Sequence, residues 1–183
     1  MSSSSPENVP LAVDLDGTLI RGDLFLQSLR SLLRVNPFYL FLLPLWLLAG
    51  KARLKQRVAE RTEVDVSALE FRASVLEFVR EEKARGRQTV IASGSDGKFV
   101  EAVSEHLACF DEVLASDGQY NCTGSRKARR LVERYGEDGF DYIGNSRVDL
   151  AVWSRASSVL VAAPSASLLR RLNKQFGDCR VFY

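Results

Sequence analysis

Two aspartates stand two positions apart in the stretch Asp14-Leu15-Asp16-Gly17-Thr18, directly after the short apolar run Leu11-Ala12-Val13. A strand that ends on two such carboxylates and then turns at a glycine exposes both acids at one edge of a sheet. A carboxylate can attack phosphorus when a divalent cation screens the substrate's charge, and a second carboxyl can pass a proton to the leaving group. On that reading Asp14 is the nucleophile and Asp16 the acid/base. A strand that merely ends in an acidic turn looks the same in isolation, so the other stretches have to decide.

Three of them bear on the same chemistry. The buried run Thr89-Val90-Ile91-Ala92 finishes at Ser93-Gly94-Ser95, and Asp96 can cap a helix to about residue 107. Strand, small-residue turn and helix start together aim backbone N–H groups at an anion, and Ser93 adds a hydroxyl. Gly124-Ser125 introduces a helix over 126–134, whose Lys127 lies near the N-terminus and can screen a phosphoryl group. Arg129 and Arg130 read as its solvated basic face. Finally Asp141-Tyr142-Ile143-Gly144 forms a strand, and Asn145 and Asp149 flank the tight turn after it, where both can face the same edge as Asp14.

The elements that must position these residues follow from the pattern. At 183 residues and 46% hydrophobic, the chain can bury a full core, as one domain with an inserted subdomain. Strands at 11–13, 88–92, 111–115, 141–144 and 158–162 alternate with helices at 73–85, 97–107, 126–134 and 166–176, and 179–183 adds an edge strand. That alternation calls for a parallel, three-layer α/β fold with its site at the carboxyl ends of the strands. Residues 11–22 and 72–183 make this core, 23–71 interrupts it as a helical cap insertion, and 1–10 is a flexible N-terminus.

The insertion has its own signals. Asp23 caps a helix to about residue 35, with Leu24, Phe25, Leu29, Leu32 and Leu33 as its apolar stripe, until Asn36-Pro37 breaks it. Residues 38–49 are then apolar all round. As a helix they span roughly 18 Å, well short of the ~30 Å hydrocarbon core, and do not cross a membrane. Three readings stay open: a buried helix in a small bundle, which is favoured, a helix lying in a membrane interface, or a contact surface for another protein. Lys51, Arg53, Lys55, Arg57 and Arg61 follow at once, a pattern that suits anionic lipid as well as a solvated basic face.

Composition excludes other classes. A net charge of +2 gives no case for nucleic acid, and Cys109, Cys122 and Cys179 are too few and too irregular for a disulfide framework or a zinc site. Free thiols in a reducing, cytoplasmic compartment are expected. The serine-rich start lacks the basic and apolar regions of a secretory signal. His106, Trp153 and Phe110 read as structural.

With its four stretches in order, the chain resembles the haloacid dehalogenase superfamily across nearly its whole length, and the helical insertion resembles the cap of the phosphoserine-phosphatase-like branch. The resemblance implies a Mg²⁺-dependent phosphomonoesterase with a Rossmann-like core. Asp14 forms an aspartyl-phosphate, Asp16 is acid/base, and Ser93, Gly94 and Lys127 hold the phosphoryl group. Mg²⁺ sits on Asp14, the Asp16 backbone carbonyl and Asn145, with Asp149 supporting from behind. Asn145 departs from the pattern, because the family has an aspartate there, and an amide brings no charge to a hard cation. Weaker metal binding and slow turnover are expected.

The run from Asn36 through Lys55 and the stretch 140–146 also resemble the phosphatase-like domain fused to membrane polyprenyl transferases. The phosphatase reading takes a small phosphorylated metabolite as substrate or, motivated by the apolar, basic-flanked cap, a lipid-linked sugar phosphate, and this second resemblance implies contact of segment 37–61 with a membrane's inner face or with a prenyltransferase domain. The chain is then a free-standing relative or the soluble part of a longer protein. A weakly active or inactive docking module for such an enzyme is the alternative, and phosphomutase chemistry would use the same nucleophile.

Overall fold

The computed structural model describes residues 9–183. Residues 1–8, most of the expected flexible start, lie outside the described residues, while Val9 and Pro10 are held. The Val9 carbonyl accepts from Arg87 Nε at 2.6 Å and the Pro10 carbonyl from the Asp141 N–H at 2.9 Å.

The chain runs β1 (Leu11–Val13), α1 (Leu24–Val35), α2 (Tyr39–Leu48), α3 (Lys51–Ala59), α4 (Ala73–Ala84), β2 (Thr89–Asp96), α5 (Gly97–Leu107) and β3 (Glu112–Ser116). It continues with α6 (Ser125–Tyr135), β4 (Asp141–Gly144), α7 (Leu150–Trp153), β5 (Ser158–Ala162), α8 (Ala166–Phe176) and β6 (Arg180–Phe182). The six strands form one sheet in the order β3-β2-β1-β4-β5-β6, and every pairing is parallel. β1 therefore lies between β2 and β4, which brings the loops after all three to one edge.

Side-chain alternation along the strands separates two cores. Leu11, Val13, Ile91 and Ile143 face a layer built from Val75, Phe78 and Val79 of α4 and Phe99, Val100 and Val103 of α5. Ala12, Val90, Ala92 and Tyr142 face the opposite layer, with Leu131 of α6, Trp153 of α7 and Leu168 and Leu172 of α8. The result is the three-layer arrangement the alternation requires.

Local chemistry sets the helix starts. Asp23 accepts from the Leu26 N–H at 2.9 Å, Asp96 from Lys98 at 3.1 Å and Ser165 from Leu168 at 3.2 Å. Each satisfies a donor the helix itself leaves free.

Two expectations are corrected. β2 does not stop at Ala92 but runs on to Asp96, with its register against β3 shifted between Ala92 and Asp96. Such an irregularity bends the strand and re-aims its side chains. The second concerns the favoured buried-bundle reading of 38–49, since α2 has no buried residue. Tyr39, Leu43 and Trp46, spaced along one face, are half-buried, while Phe38, Leu40, Phe41, Leu42, Leu45, Leu47 and Leu48 are exposed. Two short neighbours, α1 and α3, cover one side of an all-apolar helix and cannot enclose it. Among the described residues no helix is long and apolar enough to cross a membrane.

Candidate active site

Asp14 follows the last residue of β1 and continues its ladder, donating its N–H to the Ile143 carbonyl at 2.9 Å. The chain then turns through Gly17 at φ +77°, a left-handed conformation that glycine adopts without strain. A Cβ there would also stand 2.2 Å from Asn145 Nδ2, so the Asn145 amide packs directly over the acidic loop. Arg72, buried, braces the loop from beneath, with Nε donating to the Thr18 carbonyl at 3.1 Å and Nη2 to that of Gly17 at 3.3 Å.

The Asp14 carboxylate is held at both oxygens. Lys127 Nζ lies 2.5 Å from Oδ1 and the Thr18 hydroxyl donates to Oδ2 at 3.2 Å. Lys127 also donates to the Tyr142 hydroxyl at 2.9 Å, which in turn donates to Asp149 Oδ1 at 2.8 Å. Asp149 Oδ2 accepts from the Asn145 N–H at 3.1 Å and from the N–H and hydroxyl of Ser146 at 3.0 Å. Asp149 Oδ2 thus serves its own loop with three hydrogen bonds and Oδ1 serves Tyr142 with one, which suits a supporting role.

Burial dominates the electrostatics. It pushes the Asp14 carboxyl from its ordinary 3.8 up to about 7, against the opposing pull of Lys127. Burial lowers Lys127, but Asp14 and Asp149 more than offset it and hold the amine above its usual range. Asp16 is raised by burial too, with the Leu24 N–H at 2.7 Å and the Ser95 hydroxyl at 2.7 Å opposing. A carboxyl that keeps its proton more readily suits a proton donor.

Around this pair lies a cavity of about 280 Å³, lined by Asp14, Asp16, Lys55, Ser95, Lys127 and Asn145 among others. Larger clefts of about 400 and 510 Å³ lie elsewhere, the first between α6 and α7 and the second by the β5–β6 end. Neither gathers carboxylates with a buried lysine, so chemistry rather than size selects the site.

The structure brings Asp14, Asp16, Gly94, Lys127, Asn145 and Asp149 to this cavity. Ser93 is placed differently: it is fully buried, and its hydroxyl donates to Asp16 Oδ2 at 3.2 Å while accepting from the Ser95 N–H at 3.0 Å. The bend after Ala92 turns Ser95 to the cavity in its place. Arg130 is not simply solvated either, since its guanidinium ties α6 to the Ala115 carbonyl at 2.9 Å.

Four residues escaped the sequence reading. Lys55, from α3, reaches the Gly94 carbonyl at 2.5 Å and Asn121 Oδ1 at 3.3 Å, and burial lowers its amine. Nothing in the basic run marks it apart. Ser95, Arg72 and Tyr142 were missed as well. A hydroxyl at the centre of a buried strand, which needs a partner, was the available signal for Tyr142.

The cavity's metal-binding potential is modest in charge. Among the described residues no three His, Cys, Asp or Glu side chains form a ready cluster. Asp14 and Asn145, which do line the cavity, offer hard oxygen donors, and that donor chemistry fits a small divalent cation.

Known proteins share this architecture. A substrate-bound phosphoserine phosphatase superposes with a TM-score of 0.64 at 14% identity, over 94% of this chain and 92% of its own. A protein of unknown function from Bordetella pertussis Tohama I gives 0.73 at 15% identity, over 96% and 99%. At such identities the likeness is one of fold. In sequence, the uncharacterized protein y4nM of Sinorhizobium fredii (strain NBRC 101917 / NGR234) is 31% identical over 167 residues, 91% of this chain and 32% of its own length. The chain thus spans about a third of that relative. A family model, that of the haloacid dehalogenase-like hydrolases, matches residues 11–153. The match opens at the first residue of β1 and closes at the last of α7, taking in every loop that lines the cavity, and the chain belongs to the haloacid dehalogenase-like hydrolase family.

Proposed function

We propose that the chain is a phosphomonoesterase working through an aspartyl-phosphate on Asp14. The observation that carries this reading is the pairing of two unlike carboxyls at one cavity, Asp14 held by Lys127 and Asp16 held by serine hydroxyls. In the first step an Asp14 carboxylate oxygen bonds to phosphorus, the ester P–O bond breaks, and Asp16 gives its proton to the leaving oxygen. In the second, water attacks phosphorus, Asp16 takes up the water's proton, and inorganic phosphate leaves Asp14 free. Lys127 and the Gly94–Ser95 end of β2 hold the phosphoryl oxygens, and Ser93 keeps Asp16 oriented.

Asp14, the Asp16 carbonyl and Asn145 would hold Mg²⁺, with Asp149 fixing the Asn145 loop from behind. The cation supplies charge neutralisation for the phosphoryl group. The substrate is a small phosphorylated metabolite or a lipid-linked sugar phosphate. The insertion over 23–71 acts as the cap that selects it, through Phe25 and Lys55 at the cavity wall.

Hydrolysis of p-nitrophenyl phosphate tests this reading. Asp14→Asn should lower the rate at least about a thousandfold while the fold is retained, and retained turnover would sink the mechanism. Asn145→Asp should tighten Mg²⁺ dependence and raise the rate. Asn145 also motivates a second reading, a disabled site on a docking module. An inactive wild type that gains activity as Asn145→Asp would favour it.

A further inference from the structure

Helix α2 is a surface without a cover. Among the described residues, eleven large hydrophobic side chains are exposed, and seven of them lie within positions 38–48. Phe41 is 75% exposed, Leu45 61% and Leu48 85%, values of free side chains rather than of a loosely packed core. Scattered exposed leucines need no explanation, but a contiguous patch does.

Charge says what fits the patch. Residues 24–59 contain six basic residues and no acidic one, whereas the whole chain is +2, so the remainder carries −4. The exposed Arg34 precedes α2, and the exposed Lys51, Arg53 and Arg57 follow it. Two aromatic side chains, Tyr39 and Trp46, sit at the side of α2 that leans on the fold, 5.8 Å apart, and Arg61 lies over the Trp46 ring at 5.0 Å. The open faces hold only apolar groups, with no polar residue anywhere from Leu40 to Leu48. A partner protein covers one side of a helix and leaves a polar rim. A fluid hydrocarbon layer can receive every open side at once, while cations at both ends of the helix meet headgroups.

We propose that α2 is an interfacial membrane element: it lies in the surface of an anionic bilayer, with Phe38, Phe41, Leu45 and Leu48 in the acyl boundary and Arg34, Lys51, Arg53 and Arg57 on the phosphates. At about ten residues it lies in the surface and does not span it. Each apolar side chain buried there adds to partition, and each nearby cation adds electrostatic attraction that salt weakens. The surface does not depend on the chemistry of the cavity.

Vesicle co-sedimentation of the purified chain tests it, with phosphatidylcholine alone and with about 30% phosphatidylglycerol. The expected result is association with the anionic vesicles, at least about tenfold weaker with neutral ones or in about 0.5 M NaCl. Phe41→Glu with Leu45→Glu should abolish association, and Lys51→Glu with Arg53→Glu should remove the preference for anionic lipid. Both variants should keep the wild-type unfolding midpoint and the wild-type rate on p-nitrophenyl phosphate. Failure here with hydrolysis intact leaves the phosphatase reading standing. A Phe41→Trp variant, which puts an indole on the open face, gives an independent readout, a blue shift of that added emission on anionic vesicles.

Absence of association and of the shift at low salt overturns the proposal. So does association that survives Phe41→Glu with Leu45→Glu, which would mean adsorption by charge alone. A dimer by light scattering that the same pair of changes dissociates, without vesicle binding, would assign the face to a second copy of the chain. A monomer that ignores vesicles would assign it to another protein.

Discussion

The floor of the cavity and helix α2 treat opposite groups in opposite ways. At the floor, Asp14, Lys127, Tyr142 and Asp149 are polar or charged, buried, and mutually partnered. Along α2, apolar side chains stand in solvent. Both placements cost free energy in an isolated chain: the first through desolvation of ions, the second through hydration of apolar surface. The first is offset inside the molecule. Nothing among the described residues offsets the second, which is why the two regions point to different kinds of function, one chemical and one associative.

The largest effect should come from breaking the buried pair. Lys127→Met leaves Asp14 and Asp149 facing each other without a cation, and should cost about 3–5 kcal/mol in metal-free urea unfolding and abolish hydrolysis. A change below about 1 kcal/mol would show that water reaches the floor and that the contrast with α2 is overdrawn.

The same substitution made in both regions sharpens the comparison. Leu24→Ala, at a fully buried position in α1, should lose about 2–5 kcal/mol. Leu45→Ala on α2 should stay within about 0.5 kcal/mol of wild type. Equal losses would mean that α2 is covered in solution.

Gly17→Ala tests how tightly the floor is shaped. The positive φ and the Asn145 amide both oppose a Cβ, so a loss of about 1–3 kcal/mol and a fall in hydrolysis are expected. Unfolding curves and rates should move together.

The smallest effect concerns charges of intermediate exposure. Partial burial raises the Glu82 carboxyl, but hydrogen bonds from Arg87 and Arg85 outweigh it and hold the carboxyl below its ordinary 4.5. Arg87 also pairs with Asp141. A lowered carboxyl gives stability that is present above pH 4.5 and lost as pH falls through its folded value. Wild type should therefore lose stability relative to Glu82→Gln as pH falls below 4.5, by less than about 1 kcal/mol once solvent screening is allowed for. A flat difference across that range would deny Glu82 its role.

The sheet was legible because its signals are local. Asp23 and Asp96 mark helix starts by chemistry that acts over a few residues, and buried strands such as 158–162 need only a run of apolar types. The acidic loop, Lys127 and Asn145 were placed by their order along the chain, and the sheet topology explains why they meet. What escaped depends on distance. Arg72 acts on a loop 54 positions earlier, and Lys55 on a carbonyl 39 positions later. No periodicity encodes such reach. Ser93 and Ser95 exchanged roles because a shift in register is set by the neighbouring strand, and α2 was misjudged because composition cannot show whether partners exist on every side.

The uneven distribution of charge has a kinetic consequence. With +6 gathered in residues 24–59 and −4 over the rest, the molecule carries a permanent dipole. Near a negatively charged body it rotates before it touches, so that encounters begin with the helical end foremost. That torque acts within about 8 Å at physiological ionic strength, roughly the last molecular layers of approach. Orientation then precedes contact, and arrival rates rather than final affinities should be the quantities most sensitive to salt.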